Sequence, residues 1–185
     1  MAIEVGFLYF DKNIRYDPIA DQVDALLKQY APSRADRCTE AYLRKVTERS
    51  HVVMAADVSR EKGNKCFRVV GVCCLTPIYT LSGLFGKIES VVIDETILQN
   101  DPECISITRR IIERCFQAAR KDRMTHLEIS SMYIRSYTIA LYHDMGFTML
   151  GVQQYQTTPL LYDDPRAAIQ APNQVSDNDS DPTNF

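Results

Sequence analysis

Residues Lys87–Asp94 constrain the fold of this chain more than any other segment. Their centre, Val91-Val92-Ile93, is β-branched and apolar at consecutive positions. Successive side chains of a strand point to opposite faces, so such a run belongs in the middle of a sheet covered on both sides. The rest of the chain must supply the neighbouring strands and that cover.

Val5–Phe10, His51–Val58, Phe67–Tyr79 and His126–Ser130 read as strands, and Phe147–Thr157 as one or two more around Gly151. Arg60–Lys65 is a polar turn containing Gly63-Asn64, and Thr80–Gly86 is a loop with two glycines. Asp17-Pro18 marks a helix start, with Asp at the N-cap and Pro at the first helical position. Ile19, Val23, Leu26 and Leu27 then recur at helical spacing through Tyr30. A second helix runs from Thr39 to Ser50, with Tyr42, Leu43 and Val46 on one face. The longest helix, Pro102–Asp122, carries a stripe of Ile105, Ile111, Ile112, Cys115, Phe116 and Ala119. A short helix, Arg135–Met145, closes on Gly146 at the C′ position. Hairpin-connected strands followed by a βαβα segment predict an α/β (α+β) fold. Its central sheet is mixed, mostly antiparallel, of six to seven strands, with helices on both faces.

A chain of 185 residues suits one domain, expected over residues 1–158. Beyond it, residues 159–185 are rich in Asp, Asn, Pro, Ser and Gln, the composition of a disordered tail. Residues 163–185 carry five acids against Arg166, so the net charge of -3 leaves a nearly neutral body. No basic stripe is interleaved with aromatics, which argues against a nucleic-acid partner. The six cysteines show neither CxxC pairs nor a metal spacing with histidine, so buried thiols in a reducing compartment are expected, and no metal. Cys73 and Cys74 should face opposite sides of their strand. Neither a secretory signal nor a run long enough to span a bilayer is visible, which points to the cytoplasm or the nucleus.

Two segments carry a resemblance to a known family. One is Ile88-Glu89-Ser90-Val91-Val92-Ile93-Asp94-Glu95; the other is Ile129–Arg135 followed by Leu141-Tyr142-His143-Asp144-Met145-Gly146-Phe147. They resemble the fourth strand and the later helix of the Gcn5-related N-acetyltransferase (GNAT) superfamily, over most of residues 20–157. Glucosamine-6-phosphate N-acetyltransferases share a similar strand and helix. The resemblance implies the GNAT fold, with acetyl-CoA as co-substrate and a small-molecule or protein amine as acceptor. It implies that backbone groups at Val91, Val92 and Ile93 bond the pantetheine arm and polarise the thioester carbonyl. Glu89 would take the proton of the attacking amine, and Tyr142 would protonate the leaving thiolate. A homodimer through sheet edges follows by analogy alone. His51, His126 and His143 read as structural or exposed.

The chain departs from the family pattern at the glycine-rich pyrophosphate loop. That motif falls on Glu103–Thr108, which holds no glycine and follows about five extra residues. Asp101 at the N-cap would use one free amide, Pro102 removes another, and Glu103 puts negative charge where a diphosphate belongs. Ser106, Thr108 and Arg109 would have to replace the glycine cradle, with Arg110 assisting from the helix flank. The family asparagine ahead of Leu-Tyr is Ile139. Three readings stand: an N-acetyltransferase with a remodelled phosphate site, a GNAT-fold pseudoenzyme that does not bind CoA and acts as a protein-binding or assembly module, or a transferase with another acyl donor or a completing partner subunit.

Overall fold

A computed structural model describes residues 2–9, 16–33, 36–58, 60–61, 64–65, 67–98, 101–130, 136–150 and 154–157. The acidic tail lies outside these residues. In chain order the elements are β1 (Ile3–Phe7), α1 (Asp17–Tyr30), α2 (Glu40–Thr47), β2 (His51–Asp57), β3 (Arg60–Glu61), β4 (Asn64–Lys65) and β5 (Arg68–Thr80). They continue with β6 (Gly83–Ile93), α3 (Glu95–Leu98), α4 (Asp101–Lys121), β7 (Leu127–Ser130), α5 (Ser136–Asp144), β8 (Thr148–Met149) and β9 (Gln154–Thr157). Seven strands form one sheet in the order β1-β2-β5-β6-β7-β9-β8, with β6 in the middle. Neighbours pair antiparallel except β6 and β7, which are parallel.

Each face of the sheet has its own core. On the back face, Ile107, Ile111, Ile112, Cys115 and Phe116 of α4, Leu141 and Tyr142 of α5 and Met145 just after it meet Leu75, Ile88, Leu127 and Ile129. On the front face, Ala20, Val23 and Leu26 of α1 and Leu43 of α2 meet Val52, Met54, Val72 and Val92. Consecutive strand residues thus feed opposite cores, as the Val-Val-Ile run requires. Cys73 joins the back core, 3.4 Å from Cys115 between sulfurs, and Cys74 faces the front. The described cysteines are free thiols, and four of the five are buried.

Several boundaries differ from expectation. Helix α1 starts at Asp17, preceded by Tyr16, whose side chain does not cap the helix, so the aspartate is a first-turn acid. Thr39 does cap α2, accepting the Tyr42 amide at 3.2 Å. The expected Thr80–Gly86 loop is instead a hairpin: β5 runs to Thr80, β6 starts at Gly83, and Leu81-Ser82 makes the turn. Gly86 misled because its role is steric. A Cβ there would collide with Leu127 and come within 2.6 Å of Met124 Sδ and 2.7 Å of Leu75 Cδ1. Gly86 is also where β6 begins to pair with β7. Gly86→Ala is therefore expected to cost about 1–3 kcal/mol by overpacking, measured as a lower urea midpoint at unchanged slope.

Candidate active site

Strand β6 is irregular at its centre. Val72 pairs with Val92 and Cys74 with Glu89, so Cys73 alone faces both Ser90 and Val91. That is a β-bulge, and Ser90 carries its strain with φ +55°. A left-handed backbone costs a non-glycine residue roughly 1–2 kcal/mol. The extra residue breaks the two-residue period: Ile88 and Val91 both face the back core although three apart, while Glu89 and Val92 face the front.

Beside the bulge β6 outruns its neighbour β7, which ends at Ser130. The β6–β7 register runs from Gly86/Leu127 to Ile88/Ile129 and stops, although β6 continues to Ile93. Beyond Ile88 that edge of β6 has no strand partner among the described residues. In a strand alternate residues turn their amide and carbonyl to a given edge, and those turned away from β5 need other partners where they are buried. Val91, Val92 and Ile93, expected to bond a pantetheine arm, lie along this stretch.

Tyr142 of α5 packs in the core behind β6, and the helix end explains how it is held. Gly146, at φ +82°, closes α5 as a Schellman motif: its amide bonds the His143 carbonyl and the Phe147 amide bonds the Tyr142 carbonyl, both at 2.9 Å. The motif brings the two flanking aromatics together, with Tyr142 and Phe147 rings 5.8 Å apart. Tyr142 is 2% exposed and shares the back core with Ile88, Ile129 and Val91.

Glu89 sits on the other face. Its carboxylate is half-exposed and lies 3.0 Å from Lys87 Nζ. Cys74, opposite Glu89 on β5, is close to Thr76, which bonds Ser50 at 3.1 Å. Burial pushes the Cys74 thiol up from its ordinary value, against the hydrogen bonds from Thr76 and Ser50. Helices α1 and α2 cover the front of β2, β5 and the end of β6, while Lys87, Glu89, His126 and Glu128 stay partly open to solvent.

The residues proposed to replace the glycine cradle are not gathered together. Ser106 is exposed on α4. Thr108 is 5% exposed and donates its hydroxyl proton to the Cys104 carbonyl at 2.8 Å, so that proton is held within its own helix. Arg109 lies 3.6 Å from Asp144 of α5. Arg110 does not flank the helix start at all. It donates to the Ile3 carbonyl at 3.0 Å, and Arg114 to Val5 at 3.2 Å, so both cap the free edge of β1.

The extra residues after β6 form the one-turn helix α3. Asp94 caps it, bonding the Thr96 amide and hydroxyl, and also meets Arg68 at 2.7 Å. Burial alone would raise this carboxyl, but the bonds from Thr96 and Arg68 outweigh it and hold the group below its ordinary range. Residues 99–100 lie outside the described set. Helix α4 begins at Asp101, so the expected cap residue is its first helical residue.

Three features of the site escaped the sequence reading: the Ser90 bulge, the Lys87–Glu89 pair and the Asp94 cap. Asp-Glu-Thr at Asp94–Thr96 carried a legible helix-start signal. The other two had none, because bulge position and side-chain pairing depend on the register with β5. The histidines do stand apart from the stretch of β6 beyond Ile88. His51 bonds Asp122 at 2.6 Å, His126 stacks on Phe85 at 4.8 Å, and His143 is exposed. Among the described residues no group of three His, Cys, Asp or Glu could hold a metal ion. No described helix is long and apolar enough to cross a membrane.

No family model and no curated protein matches the sequence. Solved structures do match the fold. One is a GNAT-family acetyltransferase from Staphylococcus aureus Mu50, 11% identical, covering 85% of this chain and 99% of its own, with a TM-score of 0.56. The aminoglycoside 6'-N-acetyltransferase from Enterococcus faecium is 14% identical, with coverage of 86% and 97% and a TM-score of 0.56. A chain of the NatC complex bound to Gag peptide and CoA is 13% identical, with coverage of 85% and 99% and a TM-score of 0.59. The bulged central strand and the tyrosine-bearing helix behind it thus lie within a chain that has the fold of the GNAT acetyltransferases.

Proposed function

We propose that the protein is an N-acetyltransferase that moves the acetyl group of acetyl-CoA to a primary amine by direct attack. One observation carries this reading. Glu89 faces the front of β6 and Tyr142 belongs to the core behind it, while β6 beyond Ile88 has no strand partner among the described residues. A proton acceptor on one side and a donor on the other is what direct transfer needs. Acetyl-CoA, when bound, supplies the acetyl group as an activated thioester.

The fit is good along the strand and poor at the helix. The open edge at Val91–Ile93 suits the amides of a pantetheine arm, and an amide there would stabilise charge developing on the acetyl oxygen. The start of α4 offers a diphosphate Pro102 and Glu103. Ser106 and Arg109 are left as phosphate ligands, the latter after release from Asp144. Thr108 leaves the set. On the front, Glu89 takes the amine proton as nitrogen bonds the acetyl carbon; at the back, Tyr142 protonates the departing sulfur. Amine-bearing acceptors fit the setting of the matched structures, one an aminoglycoside acetyltransferase and one holding a peptide.

Thermal denaturation with acetyl-CoA tests the donor half. A micromolar site at millimolar ligand should gain about 4 kcal/mol of apparent stability. An unmoved transition would favour the pseudoenzyme reading.

A further inference from the structure

We propose that Lys87 is a positioning residue: its ammonium holds the Glu89 carboxylate in place to take the amine proton. The inference rests on the reading of Glu89 as the base. Lys87 and Glu89 are two residues apart on β6, so their side chains share the front face. Lys87 Nζ lies 3.0 Å from Glu89 Oε1. With one oxygen held, the other is the one free to take a proton.

The neighbours show why the lysine serves this carboxylate. Glu128 of β7 is the direct register partner of Lys87 and offers a second choice. His126, two residues before it on the same face, lies 3.7 Å from Glu128. The row therefore divides into two pairs, His126–Glu128 and Lys87–Glu89. Among the described residues, the groups recorded on the β5 side of Glu89 are the Cys74 thiol and, beyond it, the Thr76 and Ser50 hydroxyls, none of them cationic. The pair is partly open, with side-chain exposures of 34% and 44%, and ion pairs of that kind contribute little to stability. Its use lies elsewhere. A free glutamate samples many rotamers, and a misplaced base slows transfer sharply.

The test compares Lys87→Met, Lys87→Arg, Glu128→Gln and Glu89→Gln. Each is assayed with acetyl-CoA and the best acceptor from a panel of small primary amines and short peptides with a free α-amine. Lys87→Met should lower kcat by about tenfold while leaving KM for acetyl-CoA and the melting temperature unchanged. Lys87→Arg should restore most of the rate, and Glu128→Gln should retain all of it. An inactive Glu89→Gln beside a Lys87→Met enzyme of normal kcat would overturn the positioning role alone. A loss in Lys87→Met seen purely in acceptor KM would do the same. Normal activity in Glu89→Gln would remove the base reading itself.

Discussion

Glu89→Gln should lower kcat by about 10²- to 10⁴-fold, the usual contribution of a positioned general base. Affinity for acetyl-CoA should stay as it was, since the side chain faces the front of β6 and the donor edge is backbone. The amide cannot take a proton at any pH, so raising the pH restores activity only as free amine becomes available without help. Stability should hardly move, because the pair being broken is half-exposed and a Gln still fills the same surface position. Steady-state kinetics with a urea melt on the same preparation separates the two effects. A mutant that loses turnover by unfolding would fail the melt.

Deleting Ser90 is the second large effect, and it should act on function and not on folding. Without that residue β6 becomes a regular strand: Val91 faces Cys73, Val92 still faces Val72, and Glu89 still faces Cys74. Every apolar side chain keeps its side, since Ile88, Val91 and Ile93 already point back and Val92 forward. The residue removed is exposed and sits at φ +55°, so the deletion relieves roughly 1–2 kcal/mol of backbone strain. The deletion variant is expected to melt at or above the wild-type temperature, yet to lose acetyl-CoA binding and turnover. Retained strain in a strand that packs as well without it is the mark of a functional feature. A deletion variant that unfolds would show the bulge to be structural.

How much of this was legible follows from the kind of signal each element gives. Val91-Val92-Ile93 announced a doubly covered strand because composition alone dictates burial on both sides. Gly146 announced the end of α5 because few other residues accept φ +82°. The bulge was hidden: Ser90 looks like any polar residue in a strand, and the three-residue spacing of Ile88 and Val91 has meaning only once their faces are known. Gly86 gave a true signal for the wrong reason, marking close approach of Met124 and Leu75 where glycine more often marks a turn. Arg110 could not be placed, since its partner, the Ile3 carbonyl, is remote in sequence and a free sheet edge has no signature of its own. Thr108 was read as a ligand from its alignment, whereas a threonine inside a helix readily bonds the carbonyl four residues back. Fold signals are local and periodic, while site geometry is set by register.

The most direct measurement is release of CoA thiol from acetyl-CoA in the presence and absence of a primary amine, with the N-acetyl product identified by mass. The account predicts thiol release that depends on the amine and a product heavier by one acetyl group. Thiol release that ignores the amine, or none at saturating donor across small amines and peptide α-amines, would contradict it.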